Sequence, residues 1–277
     1  TATAAAAAGM ALVLGLGAAA CSGDAPLQDT KSTPAALKIG IGGDKPGVAH
    51  MVAGSASGFD VDVAAYIAWK LGYSPYDIEW VKTTPSDRVE HLSNGTVDMV
   101  VSMYTITDER REQVDFAGPY LILGQDVLVR ADDAITDESQ LAGKRICAIK
   151  SSTGLERIKE LVGDTATYQE EESSTICVSE LLAGNVDAAT SDDLVLAQLA
   201  AGPDAVGRLR LLGQPLSKEA IGVGLPNGSH ELCESINEAL TDMTHDGSWI
   251  KFIERHTIGT GYDPAIYDNP PALEPCE

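Results

Sequence analysis

Two short polar segments could bind a small anion between them. Residues 102–110 (SMYTITDER) and 150–154 (KSSTG) each follow an apolar run typical of a buried strand, and each opens a predicted helix. The first turn of a helix presents unpaired N–H groups and the positive end of the helix dipole, which favour a carboxylate. Arg110 adds a planar guanidinium that can donate to both carboxylate oxygens. These two segments, called here the first and second clamp segments, predict a site that closes on a small anionic solute.

Strands and helices alternate along the chain and would position the clamp segments. Apolar runs at 97–101 and 145–149 are the predicted strands that lead into them. The pattern Leu-x-x-Gly-x-Val-Asp occurs at 92–98 and again at 181–187, each time before an apolar strand. A helix, a glycine and a strand thus recur in each half. This alternation favours an α/β fold with largely parallel sheets.

Two extended segments, 125–129 and 220–225, divide the chain into two regions. The second clamp segment lies between them, and the first lies outside them. We interpret both extended segments as crossovers between two lobes. On this interpretation residues 37–129 and 220–262 form a discontinuous first lobe, and residues 130–219 form the second lobe.

The overall charge restricts the classes of partner. The formal net charge of the 277 residues is −22, which argues against nucleic-acid binding because that function needs basic surface. An acidic surface also repels an anionic ligand at long range. Any anion site must therefore be locally basic, which draws attention to the few Arg and Lys residues.

The beginning of the chain predicts export. Residues 1–20 carry no charge, and residues 10–20 (MALVLGLGAAA) resemble the apolar region of a signal peptide. Cys21 follows three alanines and precedes Ser-Gly-Asp, similar to the lipobox of a bacterial lipoprotein, although Ala18 stands where leucine is usual. We expect a signal peptide, lipidation of Cys21 and a polar tether over 21–36. A transmembrane anchor is the alternative, and the weakly apolar Ala/Gly composition disfavours it.

The other four cysteines fit two disulfides in an oxidising compartment. Cys147 lies on a predicted strand and Cys177 on a predicted helix of the same region, so we expect them to pair. A bond between Cys233 and Cys276 would attach the Pro-rich tail, residues 263–277, to a predicted helix. Two buried free thiols are the alternative for that second pair. No Cys-x-x-Cys pair is present, which disfavours a zinc site, and we expect no metal.

Five motifs in order resemble the extracellular solute-binding proteins of polar amino-acid ABC transporters. The resemblance covers about residues 37–262 and implies the two-lobed type 2 periplasmic-binding fold. Within that family, the KPG loop at 45–47 and the Cys147/Cys177 pair are most similar to glutamate-binding lipoproteins of actinobacteria. The motifs are GFDVDVA (58–64), DRVEHLSNGTVDMVVS (87–102), TITDERREQVDFAGPY (105–120), LAGKRICAIKSSTGLERI (141–158) and GNVDAATSDD (184–193).

The resemblance implies roles for residues that would bind the backbone groups of an amino acid. Arg110 and Thr105 would bind the α-carboxylate from the first lobe. Ser152 and Thr153 would donate to the same carboxylate from the second lobe. Asp192 would accept hydrogen bonds from the α-ammonium.

The residues expected around the ligand side chain favour an acidic amino acid. Arg88 and Lys45 would face a distal carboxylate, although a structural role for Arg88 and an exposed loop position for Lys45 are alternatives. Many family members stack the ligand on an aromatic residue at a position that is Gly47 here, and Tyr104 is the nearest substitute as a cleft wall. We therefore predict glutamate or aspartate, then glutamine or asparagine.

Each of the backbone-binding residues also has a purely structural interpretation. The charged run around Arg110 could form a solvated helix face. Ser152 and Thr153 could cap their helix, with Thr153 and Glu156 as a capping box. Asp192 could be the N-cap of the following helix, and its neighbour Asp193 competes for the ligand role.

The implied mechanism is hinge closure around the amino acid. We expect a monomer without a cofactor, anchored by lipid on the outer face of the cytoplasmic membrane, that delivers its ligand to an ABC permease. The first alternative is an amino-acid sensor that signals to a membrane receptor or kinase. A dehydratase-like enzyme is a weaker alternative, since the five histidines lie outside the clamp segments and no nucleophile or Walker motif is present.

Overall fold

The computed structural model describes residues 36–276. The predicted signal peptide (1–20), the expected lipidation site Cys21 and all but the last residue of the tether lie outside this range. Within it, no helix combines the length and apolar character needed to cross a membrane.

Strands and helices alternate through the described residues, as the sequence predicts. The elements up to the first crossing are β1 (Leu37–Ile41), β2 (Asp44–Lys45), β3 (Ala49–Val52), β4 (Ser55–Ser57), α1 (Phe59–Lys70), β5 (Ile78–Lys82), α2 (Arg88–Ser93), β6 (Met99–Thr105), α3 (Asp108–Arg111) and β7 (Asp115–Leu123). Those that follow are β8 (Gln125–Arg130), β9 (Arg145–Ile149), α4 (Thr153–Val162), β10 (Thr167–Glu171), α5 (Ser174–Ala183), β11 (Ala188–Asp192), α6 (Asp193–Ala200), β12 (Leu209–Leu211), β13 (Glu219–Leu225), α7 (His230–His245) and α8 (Ser248–Thr257).

Two five-stranded sheets of the same pattern form the two lobes. The first has the strand order β5-β1-β6-β13-β7, and the second has the order β10-β9-β11-β8-β12. In each sheet the first three strands are parallel and the last two join in antiparallel fashion. The predicted repeat of helix, glycine and strand corresponds to α2–β6 in one lobe and α5–β11 in the other. This two-lobed α/β architecture confirms the predicted fold class.

The chain crosses between the sheets at Gly124 and over residues 212–218. β7 ends at Leu123 in the first sheet, and β8 begins in the second sheet, where it pairs with β11 and β12. The sequence analysis assigned residues 125–129 to the first lobe, and the strand pairing differs from that boundary. The difference arises because 125–129 is a strand of the second sheet rather than a connection. The other predicted crossover, 220–225, is likewise a strand, β13 of the first sheet.

Both predicted disulfides are present and tie separate elements together. Cys147 of β9 bonds to Cys177 of α5, with an S–S distance of 2.05 Å. Cys233 of α7 bonds to Cys276 of the tail. The tail also exchanges two hydrogen bonds between the Asn269 side chain and the main chain of Ile122, at 2.8 and 2.7 Å. The tail is therefore held along β7, just before the first crossing.

Helix α2 begins later than its capping signal predicts. The sequence Thr-Pro-Ser-Asp at 84–87 predicts an N-cap at Thr84 with Pro85 in the first turn, whereas the helix starts at Arg88. Residues 84–87 form a separate turn, closed by the Asp87 N–H donating to the Thr84 carbonyl at 3.0 Å. The N–H and the hydroxyl of Thr84 both donate to the Asp87 carboxylate. These polar groups therefore stabilise the turn instead of the start of the helix.

Candidate functional site

A cleft between the lobes brings the two clamp segments together. The first segment reaches it through the end of β6 and through α3, and the second through the start of α4. Of the residues predicted to bind ligand, all but Tyr104 line this cleft. The lining from the first lobe is Lys45, Pro85, Arg88, Met103, Thr105 and Arg110, and that from the second is Ile149, Ser152, Thr153, Gly154, Ser191 and Asp192.

Arg110 is directed into the cleft rather than along a solvated helix face. Its side chain is half-buried, and its Nη1 donates to the main-chain carbonyl of Thr105 at 2.7 Å. The guanidinium carbon also lies 5.2 Å from the centre of the Tyr104 ring. The Thr107 hydroxyl caps the four-residue α3 by accepting from the Arg110 N–H at 3.2 Å. The guanidinium of Arg110 is thus held in position by its contacts with Thr105 and Tyr104, and its other N–H groups are free to donate into the cleft.

Arg88 is a buried second cation beside Arg110. It is 4% exposed, and its Nη2 donates to the carbonyls of Ser102 and Met103. Its Nε is buried with no hydrogen-bond partner in the part of the chain that is described. Burial, followed by the charge of Arg110, lowers the pKa of Arg88 to about 10. Arg88 therefore combines a structural role on β6 with a positive charge at the cleft.

Tyr104 lies behind the two guanidiniums instead of forming a cleft wall. Its ring centre is 4.5 Å from the guanidinium carbon of Arg88, and its ring packs edge-on against Phe116 at 4.8 Å. Alternation along β6 explains this position, because Met103 and Thr105 face the cleft and Tyr104 faces the opposite side. The ring also lies against Gly224, where a Cβ atom would come within 2.7 Å of it.

Gly47 lies against the second lobe. Its φ is +72°, and an added Cβ would overlap the end of the flexible Gln198 side chain from α6 of the second lobe. A larger residue at this position would therefore strain the backbone and require the Gln198 side chain to move.

Lys45 is a third cation at the cleft, and it is buried rather than exposed on a loop. It is 6% exposed, and burial, then the charge of Arg88, lowers its pKa. The charges of Asp192, Asp44 and Asp60 oppose this lowering, and Asp60 of α1 is a residue to which the sequence analysis assigned no role. The Asp60 carboxylate accepts from the Tyr120 hydroxyl at 2.8 Å and from the Met103 N–H at 2.9 Å, and burial raises its pKa to about 6.

The start of α4 offers main-chain donors to the cleft. Ser152 is its N-cap, since its hydroxyl accepts from the Leu155 N–H at 3.1 Å and donates to the Ile149 carbonyl at 2.6 Å. The capping role considered for Ser152 is therefore present, whereas Thr153 is not the N-cap because it is already the first helical residue. The N–H groups of Thr153 and Gly154 have no acceptor within residues 36–276 and lie at the positive end of the helix.

Glu219 is an acidic residue of the site region that the sequence analysis missed. Its carboxylate is 4% exposed and accepts from the hydroxyls of Thr105 at 2.9 Å and Thr153 at 3.3 Å. The hydroxyl protons of Thr105 and Thr153, which were predicted to bind the ligand, are therefore directed at Glu219. Its place at the edge of a predicted crossover gave no signal of this contact, since Thr105 lies 114 residues away.

Asp192 and Asp193 differ in their partners although they are adjacent. The Asp192 carboxylate lines the cleft and makes no capping hydrogen bond to α6. Burial, and then the charge of Glu219, raise its pKa. Asp193 turns away from the cleft, where its carboxylate accepts from the Tyr267 hydroxyl of the tail and from the Leu194 N–H. Only Asp192 of the pair is thus placed to receive a cation from the cleft.

Two α/β lobes around a cleft that combines cations, helix N–H groups and a carboxylate define the class of two-lobed binding proteins for small solutes. The chain belongs to family 3 of the bacterial extracellular solute-binding proteins, whose sequence profile matches residues 37–259. The family resemblance is thereby confirmed.

Named relatives and solved structures specify the class of solute. The glutamate-binding protein GluB of Corynebacterium efficiens is 35% identical over 227 residues, which are 78% of this chain and 77% of GluB. The ABC transporter glutamine-binding protein GlnH of Bacillus subtilis is 30% identical over 256 residues, 87% of this chain and 92% of GlnH. The structure is similar to an ancestral arginine-binding protein bound to glutamine (31% identity, TM-score 0.72, covering 80% of this chain and 97% of that one). It is also similar to the L-cysteine receptor of Neisseria gonorrhoeae (27% identity, TM-score 0.75, covering 83% and 94%). The protein is an amino-acid-binding protein of a transporter and not an enzyme.

Proposed function

We propose that this protein binds glutamate or aspartate in preference to glutamine or asparagine. The observation that carries the proposal is the charge balance of the cleft. Lys45, Arg88 and Arg110 line it, and none of the three forms an ion pair within the described range. Asp192 is the one carboxylate of this lining, and it accepts no hydrogen bond within residues 36–276, whereas Asp60 and Glu219 lie outside the lining and accept hydrogen bonds from protein hydroxyls. An acidic amino acid carries two carboxylates and one ammonium, which complements this set of charges.

The α-carboxylate would bind at the first clamp segment and the start of α4. Arg110 supplies free guanidinium N–H groups, and Thr153 and Gly154 supply main-chain N–H groups. Thr105 and Ser152 would act through position and main chain, since their hydroxyl protons have acceptors within the protein. Asp192 would accept from the α-ammonium.

The side chain of the ligand would extend toward Arg88 and Lys45. Arg88 has a buried Nε without a partner, and Lys45 is a buried amine without a carboxylate partner within residues 36–276. Leaving such groups unpaired is unfavourable, so a second ligand carboxylate would gain more here than an amide.

Calorimetric titration of the protein with single amino acids tests the proposal. We expect the affinities of glutamate and aspartate to exceed those of glutamine and asparagine by about 10-fold or more, with arginine weaker still. Tighter binding of glutamine than of glutamate would contradict the acidic preference and would leave amino-acid binding intact.

We further propose that the protein is a monomeric lipoprotein that delivers its ligand to an ABC permease on the outer face of the cytoplasmic membrane. The names of the relatives and the lipobox-like sequence at Cys21 support this proposal. Metabolic labelling with a fatty acid checks it, with Cys21→Ala as the control that should lose the label.

A further inference from the structure

The Glu219 carboxylate contacts both lobes at once. Glu219 begins β13 and pairs with Leu123, the residue just before the crossing at Gly124. Its Oε2 accepts from the hydroxyl of Thr105 in the first lobe and from the hydroxyl of Thr153 in the second. Because Glu219 and Thr105 belong to the same sheet, opening of the lobes would withdraw Thr153 from this contact.

The other oxygen of Glu219 also faces donors. Oε1 accepts from the Ser217 hydroxyl at 2.8 Å, and the Arg157 Nε of α4 lies 3.7 Å from it. The second lobe thus supplies both Thr153 and Arg157 to one carboxylate. A buried carboxylate is unfavourable without hydrogen-bond donors or an opposite charge. The closed arrangement supplies Thr153 and Arg157 of the second lobe, and opening of the lobes would remove both.

Glu219 is not among the residues that line the cleft. Its hydrogen bonds connect protein groups to one another, whereas Arg110 and Asp192 have groups free toward the ligand. The Glu219 carboxylate therefore affects how the two lobes contact each other, whereas the residues that line the cleft determine which ligand binds.

We propose that Glu219 is a positioning residue that stabilises the closed form by accepting hydrogen bonds from one hydroxyl of each lobe. This inference rests on the proposed function, since it deepens the account of how the lobes close on an amino acid. Because the contact does not involve the ligand, it contributes equally whichever amino acid is bound.

Replacement of one oxygen tests the role. In Glu219→Gln an amide NH₂ replaces one carboxylate oxygen and the charge is lost. We expect the bound amino acid to dissociate about 10-fold faster, by the same factor for glutamate and glutamine, with the association rate unchanged. Stopped-flow fluorescence measures both rates. Glu238→Gln, on the exposed face of α7, removes the same charge away from the lobes and should leave both rates unchanged.

Scattering without ligand provides an independent measurement. Small-angle X-ray scattering should give a larger radius of gyration for ligand-free Glu219→Gln than for the unsubstituted protein. If the unsubstituted protein binds no amino acid, the proposed function fails, and this measurement still decides the role of Glu219. Unchanged dissociation and scattering would overturn the inference, and a change in ligand ranking would make Glu219 a ligand contact instead.

A second variant covers the case in which Glu219→Gln does not fold. Arg157 is a partly exposed residue of α4 outside the cleft lining, so Arg157→Gln should fold. It removes the second-lobe positive charge that lies 3.7 Å from Glu219, and we expect about 2-fold faster dissociation for every ligand. Lys159 lies on the same helix and pairs with Glu170. Lys159→Gln is therefore the matched control, and it should show no change in dissociation rate. Equal rates in Arg157→Gln and Lys159→Gln would contradict the inference.

Discussion

The two clamp segments face the same cleft with different chemistry. The first ends a buried strand and continues into a helix of four residues, and it presents the guanidinium of Arg110. The second begins a helix of ten residues and presents main-chain N–H groups behind the cap of Ser152. One lobe therefore contributes a full charge on a side chain, and the other contributes partial charges fixed by a helix. A substitution can remove the first contribution entirely but can only loosen the second.

The largest loss of affinity is expected when the charge of Arg110 is removed. Arg110→Ala should weaken amino-acid binding at least about 100-fold, because two charge-assisted hydrogen bonds would be lost. Arg111→Ala is the control, since Arg111 is the next residue of the same helix but pairs with Glu274 of the tail. Calorimetric titration measures both, and similar affinities for the two variants would contradict the role of Arg110.

The next largest loss of affinity is expected at Asp192, the hydrogen-bond acceptor that the second lobe contributes. Asp192→Asn should weaken binding about 30-fold, because a neutral amide replaces the partner of the α-ammonium. Asp193→Asn, whose carboxylate is held by Tyr267 and Leu194, should weaken it far less. The reverse order in a titration series would move the ammonium site by one residue.

The same carboxylate predicts a pH dependence of affinity. Burial and the charge of Glu219 raise the pKa of Asp192 above its usual range. Lowering the pH therefore protonates Asp192 earlier than an exposed aspartate, and protonation removes the charge that the ammonium needs. Affinity should fall as the pH is lowered from 8 to 5, and this slope should disappear in Asp192→Asn. A slope that survives the substitution would assign the titration to another group.

A smaller change is expected in ligand choice. Arg88→Gln should reduce the preference for glutamate over glutamine by about 10-fold, since one cation near the predicted side-chain position is lost. Competition titration with both amino acids measures the ratio. An unchanged ratio with a lower melting temperature would leave Arg88 as a support for the carbonyls of Ser102 and Met103 only.

The smallest effect should follow loss of the helix cap. Ser152→Ala should destabilise the protein by about 1 kcal/mol and weaken binding about 3-fold, because the N–H groups of α4 become less ordered. Ser173→Ala removes the equivalent cap of α5, where the hydroxyl accepts from the Ile176 N–H at 3.3 Å. It should reduce stability similarly without changing affinity. Equal affinities in the two variants would show that α4 contributes nothing through its N-terminus.

The sequence predicts much of the fold because local patterns decide it. β9 has the bounds that were predicted from its apolar run. Helix α2 was predicted to start too early, since the polar groups of residues 84–87 stabilise a turn of their own. Period-two alternation along β6 directs Tyr104 away from the cleft, and the prediction of an aromatic cleft wall did not take this alternation into account.

Long-range contacts explain what the sequence analysis missed at the site. Glu219 and Asp60 carry no local motif, and their partners are Thr105 and Tyr120, 114 and 60 residues away. Such contacts become visible only when strands from both halves of the chain are assembled. Arg110, by contrast, was identified from the clamp segment that carries it, and Arg88 and Lys45 from the resemblance to glutamate-binding relatives.

The tail offers a practical route to an optical reporter. The disulfide of Cys276 fixes the tail to α7 of the first lobe, while Tyr267 reaches Asp193 of the second. A fluorophore placed next to Cys276 would therefore move with the first lobe. Thr175 of α5 donates to the Asp44 carbonyl of the first lobe at 2.8 Å. A second dye elsewhere on α5 would keep this contact and move with the second lobe. Energy transfer between the two dyes would report the concentration of the amino acid in real time.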